Sequence, residues 1–349
     1  MNDLKYDDRV LRYLKRIYRE ERRSFAFRGG SQREFEKWSA TARPRLRELV
    51  GLDVIAGTAR GHRIQARLEE PLEEAGYTRY KGHIQTEPGV EIPFWLLRPK
   101  GGGPHPLGIF PHGHSDNGMD SYAGIIKEGE IAERNRREDR EVAVQAVRRG
   151  FVAIAPNTRG FKPFDIPDLT GRHGNRNCRS QLLHCLLAGR TPVGERVWDM
   201  MRIIDWARDQ PYIDAGRILV MGNSGGGVVT IYTSALDTRV TVAVPSCSFC
   251  PYVGRGGLIH HCDCNAIPGI LSFGNIHDVA GLIAPRHLCI VNGRQDKLFP
   301  PDEVERAARS LSRIYRAAGV PDRFSHRWGD GGHRFYEDLM WPFIEPAMT

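Results

Sequence analysis

The chain has 349 residues, of which 40% are apolar, 9% aromatic and 26% charged. This composition is ordinary for a folded globular protein with a large core, and it excludes a disordered or fibrous chain. The formal net charge of +8 is spread among acidic residues, so it does not predict nucleic-acid binding.

The sequence contains no run of about 18 apolar residues and begins without an apolar signal segment. Seven cysteines, an odd number, are scattered along the chain. That pattern differs from a small secreted disulfide framework and favours reduced thiols. We therefore expect a cytoplasmic protein that has no membrane partner.

The first 80 residues show helical patterns. Apolar residues recur at helical spacing within residues 3–23, and Ser31 with Glu34 matches a capping box that begins a second helix despite Pro44. No catalytic motif occurs here. The pattern predicts a helical extension over residues 1–80 that packs on the main body.

From residue 81 onward, short strands alternate with helices. Residues 83–86 and 91–97 indicate an antiparallel hairpin, and continuous apolar runs then alternate with helical stretches to the C-terminus. Strands of this kind are buried on both faces of a parallel sheet. We predict an α/β domain over residues 81–349, with a doubly wound, mostly parallel sheet, helices on both faces, and an insertion at residues 160–194 near the pocket.

The strongest motif is Gly222-Asn223-Ser224-Gly225-Gly226, which lies between an apolar strand and a helix. A G-x-S-x-G nucleophile elbow requires this order, because its glycines allow the tight bend that exposes the serine hydroxyl. Ser224 would also lie at a helix N-terminus, where negative charge is stabilised. The pattern predicts a nucleophilic serine; the alternative is a glycine-rich turn with an inert one.

A nucleophilic serine needs a base and an orienting acid, which in this kind of fold follow it in the order acid, histidine. Asp296 comes just after the strand at residues 288–291, and His333 lies in a glycine-rich loop after residues 323–328. We predict that Asp296 orients His333, the general base. The weaker alternatives are two other acids, Asp278 and Asp330, and three other histidines, His260, His261 and His326.

An oxyanion hole needs two backbone N–H groups that point at the developing charge. We assign one to Gly225, which follows the nucleophile, and the other to His114 in the loop His112-Gly113-His114 after a strand. The two imidazoles could also act as metal ligands, but the intervening glycine suits a bent loop better. We therefore predict no metal and no organic cofactor.

Two cysteine pairs raise a zinc site as an alternative. Cys247 and Cys250 form one pair and Cys262 and Cys264 the other, with His260 and His261 close by in sequence. A single residue between two ligands is poor spacing for one tetrahedral ion. Free thiols beside the active site are the favoured interpretation, and a disulfide would need an oxidising environment.

With these residues identified, residues 80–345 resemble bacterial α/β-hydrolases of the dienelactone hydrolase and acetyl xylan esterase-like group. The likeness rests on His112-Gly113-His114, Asn157-Thr158-Arg159-Gly160, Gly222-Asn223-Ser224-Gly225-Gly226, Gly281-Leu-Ile-Ala-Pro-Arg286, Asn292-Gly-Arg-Gln-Asp296 and Gly331-Gly-His333. The resemblance implies the α/β-hydrolase fold and its hydrolytic machinery. It also implies that Arg159 braces loops near the pocket, although relatives carry an aspartate where this chain has Asn157.

Dienelactone hydrolases proper use a cysteine nucleophile, so Ser224 favours ester hydrolysis. The sequence predicts a serine carboxylic-ester hydrolase that acts on short-acyl or carbohydrate esters, with His112, Asn223 and Arg159 as candidate substrate-binding residues. The expected partner is a small-molecule or oligosaccharide ester. One alternative is a serine peptidase, but such peptidases usually carry a propeller domain, which about 80 helical residues cannot form. The other is a non-catalytic binding protein. The acyl group, the alcohol and formation of a homo-oligomer stay open.

Overall fold

A large mixed sheet occupies the centre of the computed structural model, which describes residues 7–19, 22–255, 257–259 and 261–349. The strands are β1 (Gln65–Leu68), β2 (Leu72–Glu73), β3 (Tyr77–Glu87), β4 (Val90–Pro99), β5 (His105–Ile109), β6 (Val152–Pro156), β7 (Ile213–Asn223), β8 (Val242–Ser246), β9 (Val253–Gly254), β10 (Gly257–Leu258), β11 (His287–Gly293) and β12 (Phe324–Gly329). Strands β9 and β10 form a separate small hairpin.

The helices connect and flank these strands. They are α1 (Asp8–Ile17), α2 (Gln32–Leu49), α3 (Leu52–Thr58), α4 (Gly118–Tyr122), α5 (Gly129–Arg137), α6 (Val142–Arg148), α7 (Asn177–Leu187), α8 (Pro192–Arg208), α9 (Gly225–Leu236), α10 (Ile270–Phe273), α11 (Ile276–Gly281), α12 (Pro301–Ala317) and α13 (Glu337–Ala347). Within the described residues, no helix is long and apolar enough to cross a membrane.

The strand order across the main sheet is β1-β3-β4-β6-β5-β7-β8-β11-β12, with β2 paired to β3. The strands from β6 to β12 in this order run parallel, and the earlier strands pair antiparallel. The predicted fold class, a mostly parallel sheet of the α/β-hydrolase type, is confirmed. The carboxyl ends of the parallel strands meet at one edge, where such folds place their functional loops.

Both faces of the sheet are buried beneath helices. In β11, Leu288 and Ile290 belong to the core shared with α9, α11 and α12, whereas Cys289 and Val291 belong to the core shared with α6 and α13. Successive strand residues point to opposite faces, so this alternation shows helices on both sides. It also explains why the strands appear in the sequence as continuous apolar runs.

The N-terminal region differs from its predicted extent. Its helices end at Thr58, and β1, β2 and the start of β3 pair within the main sheet before residue 81. The residues of β1 and β2 are mostly exposed, so they lack the apolar alternation that identifies a strand. Of the first predicted helix, residues 8–17 are helical, whereas residues 3–6, 20 and 21 lie outside the described part.

The second predicted helix begins as expected and is fixed to the main body. Ser31 and Glu34 form the reciprocal capping bonds, and Phe35 and Leu46 are buried. The Arg43 guanidinium donates to the carbonyl oxygens of Ala235 and Leu282, at 2.9 and 2.7 Å. These two bonds join α2 to the C-terminal ends of α9 and α11.

Candidate active site

The nucleophile candidate lies at a sharp turn between β7 and α9. Ser224 has φ 58° and ψ −124°, a combination that costs free energy and persists only when the surroundings enforce it. The Ser224 N–H donates to the Ser246 carbonyl of the adjacent strand at 2.9 Å. A Cβ atom on Gly226 would lie 2.0 Å from the Pro111 carbonyl oxygen, so the turn requires glycine at that position.

The acid and base candidates are in direct contact. His333 Nδ1 lies 2.7 Å from Asp296 Oδ2, and the Asp296 carboxylate is 2% exposed. The other carboxylate oxygen accepts the Leu298 N–H at 2.9 Å. This second bond fixes the carboxylate, so it can hold the imidazole in one orientation.

The loops that carry Asp296 and His333 follow the neighbouring strands β11 and β12. The Gln295 N–H donates to the Gly331 carbonyl at 2.9 Å. The Ser246 hydroxyl donates to the Arg334 carbonyl at 2.9 Å. Since Ser246 also accepts the Ser224 N–H, one residue joins the nucleophile turn to the histidine loop.

The rival acids and histidines lie in other environments. Asp278 caps α11 and accepts the Phe27 N–H, and Asp330 is exposed. His326 Nε2 lies 3.3 Å from the Asn292 side chain, and burial lowers its pKa to about 4. His261 packs against the rings of Tyr252 and Phe299, and His260 lies outside the described residues.

The predicted oxyanion loop passes directly over the nucleophile. A Cβ atom on Gly113 would lie 3.1 Å from the Ser224 Cβ, and one on Gly225 would lie 3.5 Å from the Gly113 Cα. Both candidate N–H donors, those of Gly225 and His114, thus belong to segments in contact beside Ser224. Sequence reasoning missed Tyr122, which is buried beside this loop and packs its ring edge-on against His112.

The three predicted substrate-binding residues are all buried and engaged by protein atoms. His112 is 1% exposed and accepts the Thr158 N–H through Nε2 at 2.9 Å, and burial lowers its pKa to about 4. Asn223 is 3% exposed, and its side-chain amide contacts Ser246. These contacts favour a structural role for both residues.

Arg159 is also buried, at 4% exposure, within a network of carboxylates. Its guanidinium donates to both carboxylate oxygens of Asp199 and to Glu87, the latter at 2.6 Å. These interactions agree with the bracing role that the resemblance implied. Because the guanidinium is buried and these side chains engage most of its N–H groups, the contacts favour a structural role for Arg159.

The cavity above Ser224 has a volume of about 410 Å³. Its wall includes Ser224, Gly225, His114, Val228, Leu298 and Phe299, and it also includes Arg176, Asn177 and Cys178 of the 160–194 insertion. The insertion therefore lies beside the pocket, as the strand-end position of this irregular segment indicated.

The cysteines do not assemble as the zinc alternative supposed. Cys247 lies beside Asp296 and His333, whereas Cys262 and Cys264 lie with His114 and Cys178. The latter four residues come from three distant parts of the chain, so local sequence spacing could not have predicted their association. Burial and the nearby Asp296 carboxylate raise the pKa of Cys247 to about 11, which keeps it a neutral thiol beside the imidazole.

Known proteins are similar to this chain in sequence. The family model for acetyl xylan esterase (AXE1) matches residues 134–255, a span that includes Ser224 and ends before Asp296. A protein of Bacillus subtilis (strain 168) described as a hydrolase, YtaP, is 24% identical over 279 residues, which cover 78% of this chain and 85% of that protein.

Two solved structures show the same fold at low sequence identity. A protein of Bacteroides fragilis NCTC 9343 described as an acetyl xylan esterase has a TM-score of 0.71 and 18% identity, covering 99% of this chain and 86% of that chain. A glucuronoyl esterase from Solibacter usitatus has a TM-score of 0.61 and 16% identity, covering 89% and 92%. The predicted resemblance to acetyl xylan esterase-like α/β-hydrolases is confirmed.

Proposed function

We propose that this chain is a serine carboxylic-ester hydrolase that acts on short-acyl or carbohydrate esters. The observation that carries the proposal is the contact between His333 and Asp296, in loops joined by Ser246 to the strained turn at Ser224. The family match, which names acetyl xylan esterase, supports the reaction class. The pairing of an orienting carboxylate with an imidazole is the arrangement that activates a serine hydroxyl.

In the proposed mechanism, the Ser224 hydroxyl attacks the ester carbonyl while His333 takes the hydroxyl proton. Asp296 holds the imidazole and stabilises its cation without becoming protonated. The N–H groups of Gly225 and His114 stabilise the oxyanion. His333 then gives its proton to the departing alcohol, and a water molecule activated by the same imidazole releases the acid and restores Ser224.

The substrate class follows from the cavity and from the similar proteins. A cavity of about 410 Å³ is large enough for a short acyl group together with a sugar ring. Proteins named as acetyl xylan and glucuronoyl esterases share the fold, which supports a carbohydrate as the alcohol or acid part. The exposed Arg176 guanidinium at the cavity wall would suit a sugar that bears a carboxylate.

The test measures p-nitrophenol release from acetyl, butyryl and octanoyl esters, with a serine-directed phosphonate as a covalent label. We expect wild type to prefer short chains and to be labelled at Ser224, and Ser224→Ala to lose nearly all activity. Ser234→Ala in the same helix is the matched control, because Ser234 is buried in α9 away from the turn. An inactive and unlabelled wild type would favour the binding-protein alternative instead.

A further inference from the structure

Four metal-ligating side chains converge beside the cavity. His114, Cys178 and Cys262 line its wall, and Cys264 is buried next to them. One donor atom from each lies within 4.8 Å of the other three. His114 Nε2 lies 3.0 Å from Cys262 Sγ and 3.4 Å from Cys264 Sγ, and the two sulfur atoms are 3.5 Å apart. A tetrahedral zinc ion with ordinary bond lengths would separate its ligands by about 3.5–3.8 Å.

We propose that these residues bind one zinc ion in a structural site of the Cys₃His type. Three thiolates and one imidazole favour zinc over magnesium or calcium, which take oxygen ligands. Four protein ligands complete the tetrahedral shell and leave no open position for water or substrate. The ion thus has no part in the ester cleavage proposed for Ser224.

The ligands come from three separate regions of the chain. His114 belongs to the loop after β5, and Cys178 lies in the first turn of α7 in the insertion. Cys262 precedes the 3-10 turn Asp263–Asn265, and Cys264 lies within it. Arg179 in α7 forms an ion pair with Asp263 at 3.1 Å, and the His114 ring packs edge-on against Phe161 of the insertion. A shared ion would add a cross-link among these regions beside the cavity.

The surrounding charge also fits a metal–thiolate centre. A zinc ion with three thiolates has a net charge of −1, and the Arg196 guanidinium, which is 1% exposed, interacts electrostatically with Cys264. Within the part of the chain that the structure describes, Arg196 forms no ion pair with a carboxylate; its hydrogen bonds go to the Arg159 carbonyl and the Gln181 side chain. A buried cation needs a counter-charge, and the metal–thiolate group provides one.

A disulfide is a poorer use of these cysteines. The Cys262 and Cys264 sulfur atoms are 3.5 Å apart, compared with about 2.05 Å in a disulfide. Any one pairing would also leave the third thiol and His114 beside it. Three sulfurs around one imidazole are explained by a single ion.

The test is elemental analysis of protein purified under reducing conditions and, separately, of apoprotein reloaded with Zn²⁺. We expect about one zinc per chain in the wild type and a loss of at least tenfold in Cys178→Ser and Cys264→Ser. Cys185→Ser is the matched control, because this buried cysteine lies in the same helix as Cys178 but outside the cluster. It should retain full zinc content.

A second measurement uses only the wild type, in case the variants fold poorly. Cobalt-loaded protein should show thiolate-to-cobalt charge transfer and the intense visible bands of a tetrahedral site. Zinc should also protect Cys178, Cys262 and Cys264 from alkylation, as read by mass spectrometry. The proposal is overturned if reloaded wild type holds less than a tenth of an equivalent of zinc, or if two of these cysteines form a disulfide under reducing conditions.

Discussion

His333 Nδ1 and Asp296 Oδ2 lie 2.7 Å apart although 37 residues separate them in the chain. Asp296→Asn would keep the size of the side chain but replace the carboxylate with a neutral amide, which can donate a hydrogen bond as well as accept one. The imidazole would then favour the wrong tautomer. We expect kcat/KM for p-nitrophenyl acetate to fall by about 10⁴, as in serine proteases. Asp330→Asn is the control and should stay within twofold; equal losses in the two variants would contradict the assignment of Asp296.

The close approach of Gly226 to the Pro111 carbonyl predicts that a larger residue at position 226 will lower both stability and activity. A Cβ atom there would lie 2.0 Å from that oxygen, so Gly226→Ala should displace the oxyanion loop. We expect a loss of about 2 kcal/mol in the free energy of unfolding, together with most of the esterase activity.

The control for the elbow is a second glycine-to-alanine change, Gly57→Ala. Gly57 is exposed in α3, and a Cβ atom there would contact nothing within 4 Å. This change should stabilise the protein by roughly 0.5–1 kcal/mol, because alanine loses less backbone entropy in a helix. Urea unfolding measures both variants, and equal effects of the same sign would refute the steric argument.

The Arg159 network predicts a large effect on stability. Arg159→Met would leave Asp199 buried without a cation and Glu87 paired with Arg190 alone, at a cost of about 3–5 kcal/mol. Arg67→Met, which breaks an exposed pair with Glu91, should cost less than about 1 kcal/mol. Urea unfolding midpoints at pH 7 compare the two variants, and a small effect at Arg159 would show that the network contributes little.

Because of His326, we expect the folded chain to lose stability in acid. Burial and Arg294 lower its pKa to about 4 in the folded state. Below pH 6.5, therefore, His326 becomes protonated in the unfolded chain but stays neutral in the folded chain until the pH approaches 4. Stability from this group is present above pH 6.5 and is lost as the pH falls toward 4. We expect His326→Gln to lose about 2 kcal/mol less than wild type between pH 7 and 4.5. Urea unfolding at several pH values measures this, and parallel curves would contradict it.

From the position of Arg176, we expect the protein to prefer substrates that carry a negative charge. Its side chain is 58% exposed at the cavity wall, and its nearest carboxylate, Asp263, is 3.9 Å away. Arg176→Gln should lower kcat/KM for a uronate-bearing ester about tenfold, or about 1.4 kcal/mol, and leave neutral acetyl esters unchanged. Arg179→Gln is the control, because Arg179 binds the same Asp263 without lining the cavity. Equal losses on neutral esters would indicate a structural effect.

The sequence identified those features that depend on local order. The residues Ser224, Asp296 and His333 follow strands of the parallel sheet, and the ends of parallel strands meet at one edge, so their approximate positions follow from the pattern alone. The same holds for the capping box at Ser31, which is complete within four residues.

The features that the sequence could not supply depend on distant contacts. His112 has the same local signature as His114, yet only the structure shows that Thr158 and burial remove it from the cavity. Cys178 lies close to Cys262 although more than 80 residues separate them in the chain, and no sequence periodicity predicts this proximity. The exposed strand β1 lacks an apolar face, so its place in the sheet depends on pairing with β3.

The two hydrogen bonds from Arg43 determine what we expect when the N-terminal helices are removed. They reach from α2 to carbonyl oxygens at the far ends of α9 and α11, in the case of Ala235 across 192 residues of sequence. Since α9 begins at the nucleophile turn, the N-terminal helices hold one end of the helix whose other end presents Ser224. Removing residues 1–58 would uncover the apolar surface of α9 and α12, so we expect the truncated chain to aggregate rather than remain a smaller working enzyme. We therefore expect this region to fold together with the rest of the chain as one unit.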